Sequence, residues 1–258
     1  MDVQVLIATM NQKDYSLLDE MNIQSDVIVG NQCDFDRVER FDYLGHKAVY
    51  LSFRERGVGL NRNNALMRAT GDVCLFADDD MVYENGYVQT VQGVFESNPK
   101  ADVIIFNINE PYAKGRKRYQ NCKIKKINKW NYLRYGTVRI AIRTKSIREN
   151  AIFFNQCFGG GAEHSHGEDA LFLAECLKKG LNIVAVPIAI AALQENRDST
   201  WRKQYNDKYL TDQGKLYFAI SKRWWKLLCL QDSYRRRKDY KKNFWDAYKI
   251  MTCNVKKR

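Results

Sequence analysis

Asp72-Val73-Cys74-Leu75-Phe76-Ala77-Asp78-Asp79-Asp80 is the stretch on which the reading of this chain turns. A short apolar run bounded by acids reads as a buried strand of a sheet covered by helices. In open α/β sheets ligands bind beyond the carboxyl ends of the strands, so acids at 78–80 point into a site rather than a core. Adjacent carboxylates repel one another, and a divalent cation or strong hydrogen-bond donors relieve that cost. Hard oxygen ligands with few nitrogen or sulfur partners suit Mg2+ or Mn2+, which bridge carboxylates to a diphosphate. Taken alone, the triplet also reads as an acidic turn that caps the next element.

On either side, apolar runs recur at 5–8, 27–29, 48–51 and 103–106, separated by polar segments of helical length. That alternation predicts an α/β fold with a mostly parallel central sheet. Gly59 to Gly71 has helical spacing at Arg62, Leu66 and Ala69, and a second helix is expected from Tyr87 to Ser97, before Pro99. Further on, Thr137 to Arg143 alternates bases with aliphatics and reads as a half-exposed strand. Gly167-Glu168-Asp169 opens a helix closed by Gly180; Asn182 to Val186 reads as a strand stopped by Pro187; and 206–230 turns helical and aromatic. We expect a main domain over 1–220 and a basic, aromatic helical extension over 221–258, with no repeats.

The seven cysteines form no CxxC pair, which argues against a disulfide framework or structural zinc and fits a reducing cytosol. The N-terminus lacks a basic region and a signal-length apolar run, and no segment approaches a membrane span. Net charge is +12, unevenly spread. Residues 112–145 carry twelve bases and no acid, and 221–258 carry thirteen bases against three acids, on an otherwise acidic body. Such segments suit anionic partners, nucleic acid or membrane.

Three motifs stand in order: Arg56-Gly57-Val58-Gly59-Leu60-Asn61-Arg62-Asn63, the triplet Asp78-Asp79-Asp80, and Gly167-Glu168-Asp169. Together they resemble the inverting family 2 glycosyltransferases of the GT-A (Rossmann-like) fold, over roughly 3–190. The resemblance implies a nucleotide-sugar donor, most readily a UDP-sugar, and a hexosyl or N-acetylhexosaminyl transfer with inversion. By position it makes Asp80 the direct ligand of Mn2+ or Mg2+. Asp78 then holds the ribose or shares the metal through water, and Asp79 is the most structural of the three, within the nucleotide-sugar site. It assigns Asp169 as general base, with Glu168 beside it, and places Thr9, Asn31, Arg62 and Asn63 in the nucleotide pocket. The chemistry agrees: diphosphate departure needs a Lewis acid, and the acceptor hydroxyl needs a carboxylate base on the far face of the sugar. The second strand ends Gly30-Asn31-Gln32-Cys33-Asp34, where relatives carry an acidic uracil-reading run, and no histidine follows His166 to complete a metal shell.

His164 and His166 beside Gly159-Gly160-Gly161 are a poor zinc signal and read better as a mobile loop closing on the acceptor. Asp198 to Lys203 is a candidate extra cation for the diphosphate. Tyr217, Ile220, Trp224, Leu227 and Leu228 with interspersed bases suggest an interfacial helix. With the family's lipid-diphosphate-linked saccharide acceptors, this implies a peripheral enzyme at the cytoplasmic face of the membrane, in capsular, exopolysaccharide or O-antigen synthesis. No nucleic acid is then expected. The rival reading is a nucleic-acid-binding protein or metal-dependent nuclease built on the basic segments and the carboxylates.

Overall fold

The computed structural model describes residues 1–112, 118–194, 205–253 and 255. Its strands are β1 (Val3–Met10), β2 (Asp26–Gln32), β3 (Arg37–Tyr43), β4 (His46–Phe53), β5 (Val73–Asp78), β6 (Met81–Tyr83), β7 (Val103–Asn109), β8 (Lys125–Lys126), β9 (Ile140–Arg143) and β10 (Ile183–Leu193). They form one sheet in the order β3-β4-β2-β1-β5-β9-β7-β10-β6, with β8 beside β10. The pairs β4/β2, β2/β1, β1/β5 and β7/β10 are parallel, as the apolar runs predict. Strand β9 is antiparallel to both β5 and β7 and seals the sheet between them.

Helices α1 (Leu17–Glu20) and α3 (Tyr87–Ser97) cover one face, and α2 (Val58–Arg68), α4 (Thr144–Glu149) and α5 (Glu168–Lys178) the other. Alternate residues of each strand feed the two cores: Leu75 and Ala77 pack toward α3, Cys74 and Phe76 toward α2 and α5. Asp78, next in that alternation after Phe76, therefore emerges on the α2/α5 side. Asp78 closes β5 and Asp79 and Asp80 follow it, at the strand end where the apolar run predicts them.

Three expectations are corrected. Thr137–Arg139 is a 3-10 turn, and Ile140–Arg143 is an interior strand rather than a half-exposed one. Its bases are tolerated because carbonyls receive them: Arg139 donates to the Phe106 and Tyr119 carbonyls and to Asn107 Oδ1, and Arg143 to the Ala101 and Phe95 carbonyls. Strand β10 runs through Pro187, because the register against β7 shifts between Ala185 and Ala189 and spares the missing N–H. The helical tract at 206–230 is broken at Ser221, whose extended backbone (φ −154°) ends α6 (Asp207–Ile220) before α7 (Trp225–Arg235) starts.

Beyond α7 follow α8 (Arg237–Tyr240) and α9 (Phe244–Cys253). Leu210 and Tyr217 of α6 share a small core with Trp225, Cys229, Tyr240, Ala247 and Met251. Gly214 lets α6 and α9 cross at backbone contact: a Cβ there would lie 1.8 Å from the Met251 carbonyl oxygen.

Candidate active site

Arg62 is the organising residue. Its side chain is 4% exposed, with Nη2 2.5 Å from Asp78 Oδ1 and Nη1 2.9 Å from Glu168 Oε1. One guanidinium thus ties the end of β5 to the start of α5, and Glu168 lies 106 residues from Arg62 in sequence. A buried arginine is stable there because two carboxylates repay its desolvation and Phe154 lies beneath its plane, 5.5 Å from the ring centroid. Its Nε has no partner.

The other two acids have different surroundings. Asp79 Oδ2 accepts from Thr9 Oγ1 at 2.5 Å, and Gln12 Nε2 donates to the same hydroxyl at 2.8 Å. This chain of bonds joins the ends of β1 and β5. Burial, with the neighbouring Asp78 and Asp79 charges, pushes the Asp80 carboxyl upward against the opposing charge of Arg118. Asp78 is held by Arg62 and Asp79 by Thr9. Among the described residues no three His, Cys, Asp or Glu side chains converge as a metal cluster. One carboxylate suits Mg2+ or Mn2+, which retain water and phosphate oxygens in their shells, and does not suit zinc.

Asp169 stands in the first turn of α5, behind the left-handed Gly167 (φ +109°). Its Oδ1 accepts from the Ala170 N–H at 2.7 Å. Burial first, then the adjacent Glu168 charge, raises its carboxyl to about 7, against the Ala170 N–H and Arg62. A carboxylate near neutrality is well matched to accepting a proton from a hydroxyl. Gly136 faces it, and a Cβ there would come only within 3.7 Å of Oδ2.

Two expected nucleotide contacts have their side chains committed elsewhere. Successive helix residues diverge by roughly 100°, so Arg62 and Asn63 do not share a face. Asn63 clamps Phe154, donating to its carbonyl at 2.9 Å and accepting from its N–H at 2.8 Å. Asn31 is 1% exposed, donates to Ser52 Oγ and the Gln12 carbonyl, and accepts from the Gln12 N–H. Its carboxamide is thus taken up by Gln12 and Ser52. Gln12 carries no sequence signal, because its role depends on Asn31 and Thr9 meeting at the ends of adjacent parallel strands.

The glycine-rich loop is pinned. Gly159 N–H donates to the His164 carbonyl, Val58 N–H to the Gly160 carbonyl, and a Cβ on Gly159 would lie 2.9 Å from the Glu168 carboxyl group. The histidines serve the same end. His166 stacks on Tyr209, with ring centroids 4.1 Å apart, and its Nε2 lies 2.9 Å from Gln213 Oε1. Asp212 accepts from Ser165 N–H and Oγ, and from Lys208. Asp198 to Lys203 falls outside the described residues.

Residues 35–155 match the family model described as glycosyl transferase family 2. Over 76 residues the chain is 32% identical to a glucosyl-dolichyl phosphate glucuronosyltransferase of Haloferax volcanii, a match covering 29% of this chain and 24% of that protein. Among solved structures, 97% of the chain superposes on 90% of Staphylococcus aureus TarS 1–349 in complex with UDP-GlcNAc, with a TM-score of 0.65 at 14% identity. The complex of the same fragment with UDP gives 0.63 at 15% identity and equal coverage. A longer TarS structure gives 0.62 at 16%, over 98% of this chain and 55% of that one. At these identities the likeness is one of fold.

Proposed function

We propose that this chain, a family 2 glycosyltransferase on a GT-A fold, moves a hexosyl or N-acetylhexosaminyl group from a nucleotide-diphosphate sugar, a UDP-sugar first, to a saccharide hydroxyl. The observation that carries this reading is the Arg62 bridge, which brings the acids of β5 and the carboxylate of α5 into one site. The nucleotide lies across the ends of β1 and β5, beside Thr9, Gln12 and Asp79. Asp80 would hold a divalent ion, with Asp78 serving the ribose or the outer shell of that ion; Mn2+ or Mg2+, when bound, would supply positive charge to the departing diphosphate. Asp169 accepts the proton of the acceptor hydroxyl as its oxygen attacks the anomeric carbon from the face opposite the diphosphate. Arg62 fixes the distance between the two halves and keeps Glu168 from adding an unpaired charge beside the base. Displacement in one step inverts the anomeric centre. The acceptor class we favour is a lipid-diphosphate-linked saccharide at the cytoplasmic face of the membrane, in capsular, exopolysaccharide or O-antigen assembly.

A hydrolysis and transfer screen over UDP-, GDP- and dTDP-sugars tests the reading directly. Asp169→Asn should abolish transfer and keep UDP binding, while Asp80→Ala should remove the Mn2+-dependent part of the thermal shift produced by UDP. Wild-type transfer by both variants would overturn the site. A salt-reversible thermal shift with single-stranded DNA, absent with UDP and Mn2+, would favour the nucleic-acid reading.

A further inference from the structure

The helical tract 207–253 divides its large residues in a way that its sequence spacing does not suggest. Tyr217 and Trp225 are buried in the unit's own core, whereas Trp224, Leu227, Tyr234 and Trp245 are 53%, 54%, 62% and 60% exposed. The exposed set is not scattered. Trp224, Leu227 and Tyr234 fall at three- and seven-residue intervals along α7, one stripe of a helix. Tyr234 meets Phe244 at 6.3 Å between ring centroids, Phe244 meets Trp245 at 4.7 Å, and Trp245 meets Tyr248 at 6.3 Å. The stripe on α7 therefore continues onto α9 as one aromatic seam.

Cations border this seam. Arg223 lies over the Trp224 ring at 5.0 Å and Arg237 over the Tyr234 ring at 4.8 Å, while Lys226, next in sequence to Leu227, lies over the edge of the core at the Trp225 ring, 5.8 Å away. Lys222, Arg235 and Lys238 are exposed nearby in sequence. Of the acids of the tract, Asp232 is 7% exposed and bonded to Tyr240 and Arg236, Asp207 pairs with Lys242 at 2.8 Å, and the exposed Asp246 is bonded to Asn243. Trp and Tyr beside lysine and arginine, in a tract with thirteen bases against three acids over 221–258, match the interface of an anionic bilayer, where rings lie at head-group depth and cations meet phosphates. Among the described residues no helix is long and apolar enough to cross a membrane.

We infer that the α7/α9 seam of Trp224, Leu227, Tyr234 and Trp245 is an interfacial docking surface for a bilayer containing anionic phospholipid. This deepens the membrane placement in the proposed function by naming the surface that makes it, and it does not depend on the transfer reaction. It has a geometric corollary. Helix α6 of the same unit holds the loop before Asp169, through Asp212 on Ser165 and Leu216 against Gly167. Docking through α7 and α9 thereby fixes the orientation of the transfer site to the lipid surface.

The test uses the full chain with sedimenting vesicles of phosphatidylcholine alone or mixed with phosphatidylglycerol. The wild type should bind the mixed vesicles with a blue shift of tryptophan emission, and weakly bind the neutral ones. Trp224→Ser/Trp245→Ser should lower binding about tenfold or more, as should Arg223→Glu/Lys226→Glu, with helicity and melting temperature kept. Hydrolysis of the donor sugar in solution should be unchanged in both, so failure of the membrane inference is separable from failure of the transferase reading. Equal binding by wild type and variants, or no binding by the wild type, overturns the inference. Loss of vesicle binding to competing single-stranded nucleic acid, or concealment of the seam in a dimer seen by light scattering, would overturn it too.

Discussion

Replacing Arg62 by methionine keeps most of the side-chain volume and removes the guanidinium that two carboxylates share. The two arms of the bridge are unequal. Glu168 is 5% exposed, so its charge is stranded in the interior, whereas Asp78 is 35% exposed and water screens it. Breaking a buried pair from one side costs about 3–5 kcal/mol, and an exposed arm adds about 0.2–1 kcal/mol. We therefore expect Arg62→Met to lose about 4 kcal/mol, a large part of the ~5–15 kcal/mol typical of folded proteins. Urea unfolding followed by circular dichroism gives the loss as a shift in midpoint at constant slope. The diagnostic arm is the second substitution. Because most of the penalty is an unpaired charge, Arg62→Met/Glu168→Gln should recover at least about half of it, a coupling no independent pair of sites would show. A loss below about 1 kcal/mol in the single variant, or a double variant no more stable than it, would refute the idea that Arg62 exists to neutralise Glu168.

Further outcomes follow from the same geometry. With the Asp169 carboxyl pushed up to about 7, the acidic limb of kcat should lie near neutrality, and a limb in the ordinary carboxylate range would exclude Asp169 as base. A carboxyl raised from 3.8 in the unfolded chain to about 7 in the fold costs stability as pH rises through that window. Asp169→Asn should thus melt higher than the parent at about pH 8 and lose roughly 10²–10⁴-fold in transfer. Gly214→Ala drives a methyl group onto the Met251 carbonyl, and should destabilise the α6–α9 crossing by about 1–3 kcal/mol, seen as faster proteolysis of the C-terminal helices. Asp212→Asn should lower kcat with little change in KM for the donor, since Asp212 supports the loop before the base and not the nucleotide pocket. Equal effects on both constants would count against that division.

The parallel half of the fold is legible because buried strands and amphipathic helices impose distinct periods on the sequence, and because acids at strand ends have few structural uses. What escaped follows other rules. Strand β3 is an exposed edge whose residues Arg37 to Tyr43 show no apolar run. Its turn onto β4 uses Leu44 and Gly45 at φ 51° and 82°, a primed turn without the usual Asn-Gly signature. Arg139 and Arg143 imitate a solvent face, and Pro187 imitates a strand end. In both places the neighbour that makes the residue acceptable, a set of carbonyls or a bulge, lies far away in sequence. The same limit applies at the site. The motif around Arg62 is visible, but Glu168 as its partner and Phe154 as the partner of Asn63 are tertiary facts, and the face to which Asn63 turns follows from helix geometry that a motif does not encode.

The close crossing of α6 and α9 also bears on how the molecule comes into being. The loop ahead of Asp169 is fastened by Asp212, Gln213 and Leu216, and α6 is itself held by α9 through the contact of Gly214 with Met251. A ribosome delivers these parts in the reverse of their order of dependence, and domains assemble from the N-terminus as the chain emerges. The sheet and the strand-end acids can form early, while Asp169 acquires its final support once residue 251 is free to pack. Loss of α9 by a stalled ribosome or a protease would leave a folded sheet with Asp169 less firmly held.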